Sequence, residues 1–168
     1  MNNSPTDGGT MNTPATSITD EYIDVMPWHD TFVENAGYPI GDPYIEMFWL
    51  PVLGPTATWL LRRLATGLEH EPDGYTVDVD ELARGIGVAY SQGKHNPFVR
   101  GLHRCIMFGV AQQIAVIPRT VIAVRTVLPS LSQRHIGRLP EALQIAHSDW
   151  TSVCKNSYPS HSLVTSAP

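Results

Sequence analysis

At Asp42-Pro43 and at Asn96-Pro97, each just ahead of an apolar helical pattern, a proline directly follows a residue that caps helices. Each pair fixes where a helix begins. The capping side chain accepts from free backbone amides, and proline sits where its missing N–H costs nothing. Gly54-Pro55-Thr56 marks a third start. From Asp42 a short helix is expected to about Leu50, stopped by Pro51. After Pro55, residues Trp59, Leu60, Leu64 and Leu68 share one face and Arg62, Arg63 and Thr66 the other. That spacing predicts an amphipathic helix, ended by Gly67 and the polar turn 69–74. Tyr75-Thr76-Val77 reads as a short strand. Asp78 and Glu81 have capping-box spacing, ahead of a helix that buries Leu82, Ala83 and Ile86 and stops at Gly87. After a loop from Val88 to His95, the helix from Pro97 to Phe108 puts Phe98, Leu102, Cys105 and Ile106 on an apolar face. Its other face carries Arg100, His103, Arg104 and Met107.

Beyond Gln113 the period changes from helix to strand. Ile114, Val116, Ile122, Val124 and Val127 are β-branched, so two strands are expected, over 112–117 and 121–127, joined at Ile117-Pro118-Arg119-Thr120. Ser132 opens a short helix through Arg138. Leu139-Pro140 breaks it and starts a last helix through about Trp150. The expected class is α+β, mainly helical with a small β-hairpin. The domain spans residues 42–150. Residues 1–20 read as a disordered tail, 21–41 as an irregular acidic and aromatic arm, and 151–168 as a loose tail.

Charge is distributed unevenly. Residues 82–140 hold eight Arg or Lys (Arg84, Lys94, Arg100, Arg104, Arg119, Arg125, Arg134, Arg138) and no acid. The residues before them hold fourteen acids against Arg62 and Arg63, so the net −5 of the chain conceals a basic block. Such a block is the footprint of a polyanion-binding surface. The alternative is that acids of the first half fold back onto these arginines.

Other classes lack support. Cys105 and Cys154 have neither disulfide-framework nor CxxC spacing. His95, His103, Cys105 and His135 lack ligand spacing, so no metal is expected. No phosphate-binding glycine loop or nucleophile elbow occurs, so the chain reads as a non-enzyme without cofactor. The most apolar window, Met47 to Leu61, is broken by Pro51, Gly54 and Pro55. No membrane association is expected, and the chain reads as cytoplasmic.

The order helix, strand, helix, loop, helix, hairpin, helix resembles a winged helix-turn-helix domain. In that resemblance Gly54–Leu68 is the first helix, Asp80–Gly87 the second, Pro97–Phe108 the recognition helix and Gln113–Val127 the wing. Phe48-Trp49-Leu50-Pro51, His95-Asn96-Pro97 and Leu139-Pro140-Glu141 are also similar to stretches of small actinobacterial winged-helix proteins. The resemblance implies binding of double-stranded DNA, as a transcriptional regulator. Lys94, His95 and Asn96 would sit at the helix mouth, with Arg100, His103 and Arg104 facing the major groove. Arg119 would enter a minor groove and Arg125 would meet the backbone. A homodimer through Ser132–Trp150 or the arm suits a two-fold site. The competing expectation is a protein-interaction module. There the acidic arm (Glu21, Tyr22, Asp24, Trp28, Asp30, Phe32, Glu34) docks onto a basic partner protein or covers the chain's own basic face.

Overall fold

The computed structural model describes residues 20–91 and 96–156, with side chains through Val153. The expected N-terminal tail lies outside the described residues almost entirely, as do Lys94 and His95. Tyr22–Pro27 forms a strand, β1. Thr31–Ala36 (α1) follows, capped by the Asp30 side chain, which accepts from the amide of Val33. After Tyr38–Pro39 (β2), a π-helical turn Ile45–Trp49 runs into Leu50–Leu53 (α2). The long helix Pro55–His70 (α3) leads to Tyr75–Asp78 (β3) and Val79–Gly85 (α4). Pro97–Met107 (α5) leads to the strands Ala111–Ala115 (β4), Val121–Val124 (β5) and Val127–Leu128 (β6). Gln133–Ile136 (α6) and Glu141–Asn156 (α7) are the last described elements, so α7 extends into the stretch expected to be a loose tail. The class is α+β with a small sheet.

The sheet order is β3-β1-β5-β4. β1 pairs antiparallel with β3, Val25 opposite Tyr75, and parallel with β5, Val25 opposite Ile122. The segment expected as an irregular arm therefore supplies an inner strand and a capped helix. Its strand signal is only the alternation of Ile23 and Val25, both fully buried. Pro27 ends β1 where it needs no further donor, and the following Trp28 amide bonds to the carbonyl of Val124.

Two expected helix stops are overridden. The helix from Pro43 passes through Pro51, because the π-helical turn before it shifts bonding to i→i−5. The Leu50 amide bonds to the carbonyl of Ile45, and the chain has already widened where the proline ring arrives. Gly67 lies inside α3, which continues to His70. A Cβ at Gly67 would come within 2.5 Å of Tyr75 Cε1 and closer still to Cζ and the hydroxyl. This glycine is there to let the Tyr75 ring lie against the helix, where its hydroxyl donates to the carbonyl of Leu64 at 2.9 Å.

Trp59, expected on the apolar face of α3, is 54% exposed, and Ser132 precedes α6 without a side-chain cap bond. Other cap signals act as expected. Asp78 caps α4 through the Glu81 amide, and Gly87, at φ +76°, follows its end. Gly109, at φ +69°, follows α5. The core forms where α3 packs on α5 and on the sheet, through Leu60, Leu61, Leu64, Phe98, Leu102 and Ile122, all fully buried. Each such side chain contributes about 1.5–3 kcal/mol by leaving water. A second aromatic nucleus joins Tyr38, stacked on Tyr44 at 3.7 Å, to Phe48, His147 and Trp150 of α7.

Candidate nucleic-acid interface

α5 begins where Asn96 turns the chain. The Asn96 Oδ1 accepts from the amide of Phe98 at 2.9 Å and its Nδ2 donates to the carbonyl of Ser91 at 2.6 Å. The residue is 1% exposed. Both ends of its amide are engaged in the fold, so an adenine contact by Asn96 would have to draw a buried capping side chain out of its place. From this fixed start the 100° turn per residue buries Phe98, Leu102 and Cys105 and leaves Arg100, His103 and Arg104 exposed. Cys105 is a core residue. Its thiol contacts the carbonyl of Ala57 at 3.4 Å, and burial pushes its pKa up to about 12. Gly101 brings α5 close to α3, since a Cβ there would meet Thr56 Cγ2 at 3.1 Å.

The arginines of the basic block divide into two groups. Arg119 lies beside β1, donating to Asp24 Oδ1 at 3.0 Å and to Thr76 Oγ1 at 3.5 Å. Arg125 is more deeply set. It donates to Asp30 Oδ2 at 3.0 Å and to the carbonyl of Gly109 at 3.1 Å, with its guanidinium 3.9 Å from the Trp28 ring centre. Arg84 pairs with Asp80 within α4. The acids that neutralise the hairpin arginines thus come from the N-terminal segment, as the fold-back alternative required. The Thr76 hydroxyl first, and then Arg119, hold the Asp24 carboxyl below its usual range. The Val33 amide first, and then Arg125, do the same for Asp30. Arg100, His103 and Arg104 of α5 stay exposed. Of the arm's acids, Asp24 and Asp30 pair with Arg119 and Arg125 of the hairpin, while Glu34 meets His29.

The second group has no carboxylate partner among the described residues: Arg100, Arg104, Arg134 and Arg138. Two clefts set three of them side by side. One, of 320 Å³, lies between the start of α3 and α5, and both Arg100 and Arg104 line it. The other, of 370 Å³, lies between α2, the end of α5 and the α6–α7 connection, and Arg104, His135 and Arg138 line it. Arg104 belongs to both. Its guanidinium is steadied by the carbonyl of Val52 at 2.7 Å and lies 5.4 Å from the Phe108 ring centre. Arg100, Arg104 and Arg138 thus form one basic strip along α5 and onto the segment before α7. Arg138 and His135 escaped the sequence reading as site residues because helical spacing relates positions within α5 only. The lack of acids from 82 to 140 was the signal that marked them. Among the described residues no helix is long and apolar enough to cross a membrane. No family model, curated protein or solved structure matches this chain.

Proposed function

We propose that the protein binds double-stranded DNA through α5 and the Arg100–Arg104–Arg138 strip, and serves as a transcriptional regulator. The observation that carries this reading is the division of the arginines. Those on the hairpin are paired with carboxylates of the N-terminal segment, while those along α5 have no carboxylate partner among the described residues. The order α3, β3, α4, α5, β4–β5 supports a winged helix-turn-helix layout, with β1 inserted between β3 and the hairpin. In such a layout an exposed polar helix face meets base edges and arginines beside it meet phosphates. Three phosphate contacts would give a plot of log affinity against log salt with a slope of about −2.7.

The test is a salt series on a mixed-sequence duplex, with the full chain and an Arg100→Ala/Arg138→Ala variant. Both residues are exposed, so the variant is expected to fold normally. Its slope should flatten by about 1.8 if both meet phosphates. Absence of binding at low salt would end the DNA reading.

One observation favours a protein partner instead. The edge strand β4 and its turn expose Ile114, Val116 and Ile117, the last at 87%, with no charge between Gly109 and Pro118. An uncharged open edge is suited to pairing with another chain.

A further inference from the structure

The cleft between α2, the end of α5 and the α6–α7 connection differs in character from the rest of the basic strip. Its walls are apolar, formed by Val52, Phe108 and Leu139, and its polar groups are Arg104, Arg138 and His135. His135 is held in place. Its ring centre is 5.4 Å from that of Phe108 and 6.3 Å from that of Trp49, and Ser132 Oγ engages Nδ1 at 3.2 Å. Nε2 has no partner among the described residues. Arg104 is fixed at one amino group by the carbonyl of Val52 and rests near the Phe108 ring, so its remaining donors are already oriented. No acid lines the cleft. Two guanidinium groups are therefore set beside apolar walls without a counter-charge among the described residues.

We propose that this cleft binds a small organic acid: a carboxylate on one flat apolar ring, of a size to act as an effector. The carboxylate would take charge-assisted hydrogen bonds from Arg104 and Arg138, stronger than those between neutral groups. The ring would occupy the space beside Phe108 and Leu139. At 370 Å³ the cleft lies near the small end of the roughly 300–1,000 Å³ typical of ligand sites, which suits one ring and its substituents. A bare inorganic anion would satisfy the arginines and leave the apolar walls wet. A neutral ring would cover the walls and leave both guanidinium groups without a counter-charge. The proposal does not depend on DNA binding.

The experiment uses the full chain and three probes followed by heteronuclear NMR: benzoate, benzamide and inorganic phosphate. Benzoate should bind with shifts confined to Phe108, His135, Leu139 and their neighbours, and at least about tenfold more tightly than either comparator. Arg138→Gln, at an exposed position, should weaken benzoate by about tenfold or more while the thermal midpoint stays put. Phosphate binding as tightly as benzoate would overturn the proposal and leave only a charge strip. So would benzoate affinity unchanged in Arg138→Gln, or shifts scattered away from the cleft.

Discussion

Replacing Gly67 by alanine sets two forces against each other. In a helix interior alanine is favoured over glycine by about 1 kcal/mol. Here the new methyl would meet the Tyr75 ring, within 2.5 Å of Cε1 and nearer to Cζ and the hydroxyl, against an ordinary carbon contact of about 3.5–4 Å. The ring must move by roughly an ångström, which costs about 1–3 kcal/mol as overpacking. It also gives up the hydrogen bond to the carbonyl of Leu64, about 1 kcal/mol more. The steric side wins, and Gly67→Ala should destabilise by about 1–3 kcal/mol. In a chain of this size that lowers Tm by about 2–12 °C. In a Tyr75→Ala background the obstruction is gone, and the same substitution should stabilise by up to about 1 kcal/mol. The assay is urea unfolding of the four proteins of this cycle, with m compared across them. Burial, aided by the charge of Glu71, pushes the Tyr75 hydroxyl up to about 12. Displacing the ring should bring its titration back toward 10, seen as tyrosinate absorbance. Stabilisation by Gly67→Ala in the native background would falsify the argument, and so would a cycle without a change of sign.

Arg125→Ala should destabilise more than Arg119→Ala, by about 2 kcal/mol or more against less than about 1. The Arg125 side chain is 12% exposed and lies against Trp28, while that of Arg119 is 45% exposed. Equal midpoints in denaturant would contradict this ranking. Asn96→Ala should cost about 1–2 kcal/mol through the lost cap, and Asn96→Asp should not recover it, because a buried carboxylate oxygen would face the Ser91 carbonyl that now accepts from Nδ2. If DNA binding by folded Asn96→Ala protein falls sharply, Asn96 reads bases after all. Burial lowers the His147 pKa below the ordinary 6.5. Between its folded value and 6.5 the unfolded chain binds more protons, so stability should be complete above that window and fall as pH drops through it. The Asp20, Asp24 and Asp30 carboxyls are also lowered, so their contributions hold above about 3.8 and are lost as pH falls through their folded values. Thermal midpoints against pH should show the higher step vanish in His147→Gln and the acid step remain. If benzoate and DNA phosphate share Arg104, saturating benzoate should flatten the salt slope of DNA binding by about 0.9.

Local chemistry in the sequence located most helix starts. Asp78 and Asn96 cap the helices their neighbours announce, and Gly87 and Gly109 follow the ends they mark. These signals are readable because both partners lie within a few residues. Gly67 and Pro51 misled for the opposite reason. Gly67 answers to Tyr75, which reaches it only after the chain has turned back, and Pro51 is accommodated by a π-helical turn that no residue announces. β1 was hidden most completely. Its partners are β3 and β5, roughly 50 and 100 residues away, and a parallel pairing across that separation leaves no trace in local composition.

The same strand changes what the charge pattern means. Counted along the chain, the block from 82 to 140 offers eight cations to a partner. In the fold, β1 and the cap of α1 carry Asp24 and Asp30 to Arg119 and Arg125. The positive potential therefore shifts away from the hairpin toward α5 and the segment before α7. An exposed pair at 3.0 Å contributes little to stability, yet it removes a unit charge from the surface potential. Breaking these pairs should consequently act on binding differently from losing arginines. Asp24→Asn frees Arg119 with little effect on stability, and it should raise affinity for any polyanion and steepen the salt slope. The magnitude is at most about 0.9 if Arg119 then reaches a phosphate. An unchanged slope in a folded Asp24→Asn protein would show that the hairpin stands outside the interface and that α5 with Arg138 carries it alone.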